Sequence, residues 1–188
     1  MLPKLETKRL RMQCLTNESA FAVLEFYKEN QPYFDQYELT RPRNFYTVSY
    51  HTAALDWELK EMEARRCLRY FVFLKEEPSM IIGSVNVSDI RFGCMQKASF
   101  GYKFDHRFWH QGYAYEACTS CLDFIFRDYG LHRMEANIMP SNQASIRLIQ
   151  RLGFSYEGTE KESAEINHRW EDLHRFAKLN PYTSSTIQ

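Results

Sequence analysis

The stretch Phe104–Glu116, Phe-Asp-His-Arg-Phe-Trp-His-Gln-Gly-Tyr-Ala-Tyr-Glu, decides the fold of this chain. Aromatic residues at positions 100, 102 and 104 alternate with small or polar ones, which is the period of a strand with one buried face. Apolar residues then recur every three or four positions, which predicts a helix from about Ala114. Gly112 lies at the junction and lets the backbone bend without a side chain. We therefore predict a strand, a glycine turn and a helix start.

A helix start of this kind has a chemical use. Its first N–H groups have no partner within the helix, and they lie at the positive end of the helix dipole. Such a turn can bind the pyrophosphate of a ligand. The same spacing also fits a turn that binds nothing, so the local pattern leaves both alternatives open.

Composition indicates one globular domain. The 188 residues are 44% hydrophobic and 15% aromatic, enough for one core, and we predict a single domain at 1–180 and a polar tail at 181–188. Lys+Arg and Asp+Glu are both 24, so no overall field favours nucleic acid or an anionic membrane. No apolar run reaches the ~20 residues of a membrane span, and Met1–Arg11 does not resemble a signal peptide. Five cysteines, mostly in apolar patterns, favour reduced thiols in the cytoplasm.

The periodicity along the chain predicts a mixed sheet covered by helices, an α/β (α+β mixed) fold. The predicted strands are 5–15, 70–75, 80–87, 98–105, 133–139, 154–161 and 166–179. Four helices are predicted: one that ends near Pro32, one that spans 47–66, one that follows Gly112, and one that runs from Asn142 to Gly153. The aromatic segment Pro32–Asn44 is either a packed loop or a wall that faces a substrate.

Three motifs occur in order: Leu5–Arg11, Trp109–Ala117 and Asn142–Gly158. Together they resemble the GNAT superfamily of acetyl-CoA-dependent N-acetyltransferases, and within it the ribosomal-protein serine/alanine N-terminal acetyltransferase branch. The resemblance covers nearly the whole chain. It implies a mostly antiparallel sheet of about seven strands, splayed in the middle and flanked by about four helices. It also implies acetyl-CoA as co-substrate, with its pantetheine arm in the splay.

The resemblance also implies binding residues. Amide groups from Gln111 to Tyr115 bind the pyrophosphate, and Asn142 lies near the pantetheine. Lys97, Lys103 and Arg107 add positive charge near the turn, which suits the phosphorylated end of coenzyme A. The predicted cofactor-binding residues are Tyr102, Lys103, Phe104, Gln111, Gly112, Tyr113, Ala114, Tyr115, Asn142 and Ser145.

Direct acetyl transfer needs a neutral amine, a donor for the developing oxyanion and a way for the thiolate to leave. We predict that a backbone N–H near Tyr102 or Lys103 serves the oxyanion, freed where Gly101 disturbs the strand ladder. Many superfamily members carry a leaving-group tyrosine where this chain has Ile149. The resemblance therefore assigns the hydrogen bond to the cofactor sulfur to Ser145, and a hydroxyl that bonds its own helix start is the alternative.

The general base is less well defined. Some relatives carry a glutamate where this chain has Ala164. The glutamates nearby are Glu157, Glu160, Glu162 and Glu165, and of these the candidate bases are Glu162 and Glu165. Solvated charges in a turn are the alternative interpretation. An α-amine has a pKa of about 7.7–8.0 against about 10.4 for lysine, so a weakly equipped site fits an N-terminal amine better than a lysine side chain.

We interpret the chain as an acetyl-CoA-dependent N-acetyltransferase whose acceptor is a protein N-terminal α-amine of the ribosomal-protein type. A small amine, such as a polyamine or an antibiotic, is the alternative acceptor, and a catalytically silent acyl-CoA-binding sensor is the alternative class. No metal is predicted, because Cys118 and Cys121 fit the apolar stripe of a helix despite their zinc-like spacing. The sequence leaves open whether the protein is a monomer or a homodimer.

Overall fold

The computed structural model describes residues 2–182, which form one eight-stranded sheet and five α-helices. Strands β1 to β8 are Leu5–Glu6, Leu10–Gln13, Leu68–Leu74, Gly83–Arg91, Lys97–Phe104, Arg133–Ile138, Ser155–Ile166 and Arg169–Leu179. Helices α1 to α5 are Ala20–Glu29, Gln31–Phe34, Val48–Glu63, Tyr113–Phe124 and Gln143–Arg151, and α4 continues into a π-helical segment, Ile125–Tyr129. No helix among the described residues is long and apolar enough to cross a membrane.

The sheet contains one parallel pair. The strand order is β1-β2-β3-β4-β5-β6-β8-β7, and every neighbouring pair except β5 and β6 is antiparallel. The register of β5 with β6 runs only from Lys97 opposite Arg133 to Ser99 opposite Glu135. Beyond Ser99, β5 stays paired with β4 and β6 stays paired with β8, so the two strands part. The predicted fold class and the splay in the middle of the sheet are confirmed.

Two local features explain why there are eight strands and five helices rather than seven and four. The predicted first strand is broken by a turn in which the backbone N–H of Leu10 donates to Thr7 Oγ1 at 3.0 Å. The short helix α2 follows α1 directly and carries Pro32 in its first positions. A proline there costs no hydrogen bond, because the first N–H groups of a helix have no partner within it. Part of the segment predicted to be irregular is therefore helical.

The last hairpin differs from the prediction. The sequence predicts one strand that ends at 161 and another that begins at 166, but β7 continues to Ile166. The turn is formed by Asn167 and His168, both in the left-handed region with φ of 49° and 62°. Two such residues match the twist of a tight hairpin. Residues 162 and 165 therefore lie on a strand. Residue 162 is within an irregularity of its register between Glu160 and Ala164, and residue 165 is in the paired part beyond it.

Both faces of the sheet are covered. Tyr70 and Val72 of β3 belong to a large core that includes residues of α4 and α5, whereas Phe71 and Phe73 belong to a second core with α1 and α3. Adjacent strand residues point to opposite faces, so a strand covered on both sides is apolar at every position. Cys118 and Cys121 are fully buried in the large core, which confirms their interpretation as packing residues. On α5 and just after it, Ile149 and Leu152 are buried in the large core, whereas Ala144 is exposed.

The last predicted strand ends at 179, but the chain keeps defined contacts as far as Tyr182, in the predicted tail. The Asn180 side chain is buried, and its Nδ2 donates to the carbonyl oxygens of Phe126 at 3.0 Å and Leu131 at 2.8 Å. The hydroxyl of Tyr182 donates to Asp123 Oδ1 at 2.9 Å. These bonds attach the end of β8 to the end of α4. The rest of the predicted tail, 183–188, lies outside the described residues.

The substitution Asn180→Ala is expected to lower the free energy of unfolding by roughly 1–3 kcal/mol, because two buried carbonyl groups lose a donor. Urea denaturation measures the change. Tyr182→Phe is the control, since it removes one exposed hydrogen bond and keeps the ring, and it is expected to change stability by less than about 0.5 kcal/mol. Equal effects of the two substitutions would contradict a structural role for Asn180.

Candidate active site

The glycine turn has the predicted geometry. Gly112 precedes α4 with φ of 81° and ψ of 0°, in the left-handed region that favours glycine. The N–H of Glu116 donates to the Gly112 carbonyl at 3.1 Å, so the N–H groups of residues 113–115 come before the first bond of the helix. The arrangement fits a pyrophosphate. Binding of a ligand by Gln111, Gly112, Tyr113, Ala114 and Tyr115 stays a prediction.

Arg9, in the first hairpin, contacts this turn and the start of α4. Its guanidinium donates to Glu116 Oε2 at 2.7 Å and to the carbonyl of Gln111 at 3.0 Å, and it lies over the Tyr113 ring at 4.3 Å. Thr7 Oγ1 donates to the other oxygen of Glu116 at 2.6 Å. Burial raises the pKa of Glu116, but the hydrogen bonds from Thr7 and Arg9 outweigh burial and hold it below its usual value. Sequence reasoning assigned Arg9 no role, although it belongs to the first motif.

Most of the cations assigned to this turn are paired with carboxylates. Arg9 is paired with Glu116, and Arg151 of α5 lies with its guanidinium 4.2 Å from the centre of the Tyr115 ring. The three cations predicted to add positive charge are paired as well, and their role toward a phosphorylated ligand stays a prediction. These pairs are Lys97 with Glu135 at 3.1 Å, Lys103 with Glu38 at 2.6 Å, and Arg107 with Asp105 and Glu29, each at 2.6 Å.

A cavity of about 610 Å³ occupies the gap between β5 and β6 and is lined from both faces of the sheet. Tyr102 and Lys103 are adjacent on β5, so their side chains point to opposite faces. The Tyr102 hydroxyl reaches Ser145 on α5, and the Lys103 ammonium reaches Glu38 in the loop after α2. We call these two sides the α5 chamber and the α3 chamber. The cavity is thus lined by side chains on both faces of the sheet.

The backbone of β5 supplies a donor to the gap, but not for the predicted reason. The register of β5 with β4 is continuous around Gly101, and its irregularity lies between Ser88 and Arg91. The N–H of Asp105 donates to the carbonyl of residue 82 on the β4 side. Backbone groups alternate along a strand, so the N–H of Tyr102 points away from β4, where pairing with β6 has already ended. The divergence of β6, and not Gly101, leaves this N–H facing the gap.

Gly101 lines the gap, and Phe104 connects the end of β5 to the turn. A Cβ atom on Gly101 would lie 2.9 Å from the Oδ1 of Asn86, a side chain that lines the cavity, so the glycine makes room for that amide. The carbonyl of Phe104 accepts a hydrogen bond from Trp109 Nε1 at 2.7 Å. Trp109 therefore anchors the turn through its ring nitrogen, although its side chain is exposed.

The α5 chamber contains a pair of hydroxyl groups. Asn142 caps α5 by accepting a hydrogen bond from the Ser145 N–H at 3.1 Å. Both residues line the cavity, and their binding of a cofactor stays a prediction. Ser145 Oγ lies 2.8 Å from the hydroxyl oxygen of Tyr102, which also donates to the Ser145 carbonyl at 3.1 Å. Burial raises the pKa of Tyr102 well above its usual value and the hydrogen bond to Ser145 offsets only part of this, so the phenol stays protonated. Ile149 is fully buried in the core.

The α3 chamber contains paired charges. Arg69 forms an ion pair with Glu58 and donates to the Tyr27 hydroxyl, and Lys103 pairs with Glu38. Burial raises the pKa of Glu38, but the charges of Lys103, Arg41 and Arg69 hold it below its usual value. The same cations, led by Arg69, lower the pKa of Tyr27 against the effect of its burial. The electropositive surroundings therefore keep Glu38 ionised.

The predicted catalytic glutamates lie elsewhere. Glu162 is exposed on β7, and its backbone N–H donates to Asp172 Oδ1 at 3.0 Å. Glu165 is exposed beside Thr40, whose hydroxyl lies 3.4 Å from its Oε1. Neither lines the cavity, whereas Ala164 between them does. Their placement does not support the predicted catalytic role. The carboxylate that does line the chamber near β7, Glu38, was missed because its loop has no recognisable sequence pattern.

Comparisons with known proteins agree with this geometry. The family model described as "Acetyltransferase (GNAT) domain" matches residues 9–155. The Bacillus subtilis (strain 168) protein named "Probable N-acetyltransferase YjcK" is 30% identical over 177 residues, which cover 94% of this chain and 97% of that protein. The "[Ribosomal protein uS5]-alanine N-acetyltransferase" of Escherichia coli (strain K12) is 28% identical over 169 residues, covering 90% and 87% of the two chains.

Solved structures show the same fold. The crystal structure of ribosomal-protein-S5-alanine acetyltransferase from Vibrio fischeri has a TM-score of 0.90 at 24% identity and covers 97% of this chain and 99% of that chain. A structure of the ribosomal L7/L12 alpha-N-protein acetyltransferase RimL in complex with coenzyme A has a TM-score of 0.86 at 18% identity, with 94% and 98% covered. Since the family model spans most of the chain, this protein belongs to the GNAT acetyltransferase family and is an acyltransferase whose donor is acetyl-CoA.

Proposed function

We propose that this enzyme transfers the acetyl group of acetyl-CoA to the N-terminal α-amine of a protein, in the cytoplasm. The observation that carries the proposal is the cavity through the sheet, which joins a chamber with two hydroxyl groups to a chamber open to an acceptor. The similarity to a ribosomal-protein alanine acetyltransferase over 90% of the chain supports a protein N-terminus as the acceptor. A small amine acceptor and a silent acyl-CoA sensor are tested below.

The donor side is built from three parts of the fold. The amides at the start of α4 hold the pyrophosphate, beside Arg9 and Arg151. The backbone of β5 from Tyr102 to Phe104 borders the pantetheine arm in the gap, and Asn142 lies at its other side. The side chain of Lys103 points to the opposite chamber, so this residue contributes to the donor side through its backbone. Bound there, acetyl-CoA supplies an activated acetyl thioester.

Two groups of the chain face the reacting end of the donor. The N–H of Tyr102 faces the gap and is available to the oxygen that gains negative charge. In the α5 chamber the hydroxyl oxygens of Tyr102 and Ser145 lie 2.8 Å apart, and either can be the donor; when Tyr102 donates to Ser145 Oγ rather than to the Ser145 carbonyl, the serine proton is free for the sulfur. Since a thiol has a pKa near 8.5, a hydrogen bond is sufficient to stabilise the departing thiolate, and no strong acid is needed to protonate it.

The acceptor chamber fits an amine that loses its proton easily. Glu38 has a pKa below its usual value and is therefore a weak base. An α-amine has a pKa of about 7.7–8.0 and a sizeable neutral fraction at neutral pH, whereas a lysine at about 10.4 needs a base that removes its proton. The weak base of the α3 chamber thus favours an N-terminal amine.

The acceptor is tested by measuring thiol release from acetyl-CoA with a panel of amines. Two kinds of peptide are compared: peptides with a free N-terminus, and the same peptides blocked at the N-terminus and carrying a lysine. We expect kcat/KM to be at least about tenfold higher for the peptides with a free N-terminus. Spermidine and an aminoglycoside complete the panel. Higher activity on lysine or on a small amine would contradict the proposed acceptor, and binding of acetyl-CoA without turnover on any amine would indicate a sensor.

Phosphate binding at the glycine turn is tested by the substitution Gly112→Glu. We expect this change to raise the Kd for acetyl-CoA at least about tenfold, because the new carboxylate repels the pyrophosphate. Isothermal titration calorimetry measures the Kd. Gly93→Glu is the matched control, because Gly93 also has a left-handed φ, of 70°, and a Cβ atom added there would meet nothing within 4 Å. Equal affinities of the two variants would contradict phosphate binding at this turn.

The hydroxyl pair is tested by a double-mutant cycle with Ser145→Ala and Tyr102→Phe. Loss of one hydrogen bond to the sulfur is expected to lower kcat roughly three- to tenfold, with the Kd for acetyl-CoA unchanged. If Tyr102 acts by orienting Ser145, the single substitution Tyr102→Phe lowers kcat. The same substitution then has no further effect on kcat when Ser145→Ala is already present. Tyr156→Phe, at an exposed tyrosine of β7, is the control and should leave kcat unchanged. Independent, multiplicative effects on kcat would contradict the orienting role.

A further inference from the structure

The α3 chamber offers two carboxylates, and only one is accessible to an acceptor. The Glu58 side chain is 14% exposed and is held by Arg69, whereas the Glu38 side chain is 34% exposed. Within residues 2–182, Lys103 is the one ion-pair partner of Glu38, and it contacts Oε1. A carboxylate accepts about four hydrogen bonds, so Glu38 keeps capacity for a second donor from the cavity.

The loop that carries Glu38 is fixed to the sheet. Leu39 forms an isolated antiparallel bridge with Ile166 of β7, and the N–H of Thr40 donates to the carbonyl of Glu165 at 3.0 Å. Lys103 holds the carboxylate from the other side of the gap, on β5. Glu38 is therefore positioned between β7 and β5, next to the face of β5 opposite Tyr102.

The rim of this chamber is apolar. Leu39 is 65% exposed and Trp57, on α3, is 61% exposed, and both line the same cavity as Glu38. Large apolar side chains exposed around a pocket that contains charged groups indicate a binding surface. The cations Lys103 and Arg69 line the same chamber and already pair with Glu38 and Glu58, so the chamber has no excess negative charge to bind a second ammonium group of the acceptor.

We propose that Glu38 binds the amino group of the acceptor, and that Leu39 and Trp57 bind an apolar side chain next to that amine. The acceptor class is then an N-terminal peptide with an apolar residue near its amine, and polyamines are disfavoured because their additional ammonium groups meet the apolar rim and the cations. This inference rests on the proposed function and makes it more specific.

The first test compares acceptor kinetics of the wild type and Glu38→Gln, using a peptide that begins Ala-Phe. The expected result is a rise in the KM for the peptide of at least about tenfold with an unchanged Kd for acetyl-CoA. Glu63→Gln, at an exposed glutamate at the end of α3, is the matched control and should leave both constants unchanged. An unchanged KM in Glu38→Gln overturns the role of Glu38.

A double variant separates amine binding from the loss of a partner for Lys103. If Glu38→Gln acted only by leaving Lys103 unpaired, adding Lys103→Met would restore the KM for the peptide. We expect the KM to stay high in the double variant, because the amine still lacks its carboxylate. Recovery of the wild-type KM overturns the proposal.

The rim is tested with two peptides that begin Ala-Phe and Ala-Ser. The wild type should prefer Ala-Phe by about tenfold in kcat/KM, and Trp57→Ala should reduce that preference to about twofold or less. An equal preference in both proteins overturns the apolar part of the proposal. Failure of the proposed function gives a different result, since the wild type would then acetylate neither peptide.

Discussion

The separation of β5 and β6 after three paired residues is the constraint on which the rest of this structure depends. Each strand keeps its other neighbour, so β5 remains paired with β4 while β6 follows β8. Buried backbone N–H and C=O groups need partners, and a strand edge inside a protein is costly unless something pairs with it. The backbone groups that β6 leaves without a strand partner face the cavity, where a ligand can bond to them.

The gap is kept open by packing on both faces of the sheet. The large core fills the face under α4 and α5, and the second core fills the face under α1 and α3, so neither strand can close the gap without moving a packed helix layer. The ion pair between Arg9 and Glu116 fixes the start of α4 relative to the first hairpin. A site formed between rigid elements can hold two reactants in register, which is much of what acetyl transfer requires.

Strand alternation divides the chemistry of the site between two faces. Tyr102 points to α5, where its protonated hydroxyl meets Ser145, and Lys103 points to the opposite chamber, where it holds Glu38 ionised. Neutral hydroxyl donors therefore lie on the side proposed for the sulfur, and a carboxylate lies on the side proposed for the amine. The two environments are separated by the thickness of one strand, yet their electrostatics differ in the way that each reactant requires.

The sequence by itself determined the features that depend on local periodicity and on short motifs. The strand, glycine turn and helix around Gly112, the capping of α5 by Asn142 and the burial of Cys118 and Cys121 all follow from residue spacing within one turn or one strand. The tertiary structure alone decided which distant groups meet. The pairing of Tyr102 with Ser145 and of Lys103 with Glu38 depends on strand order and on where β6 diverges, and these are set by contacts between residues far apart in the chain, which leave no periodic signal in the sequence.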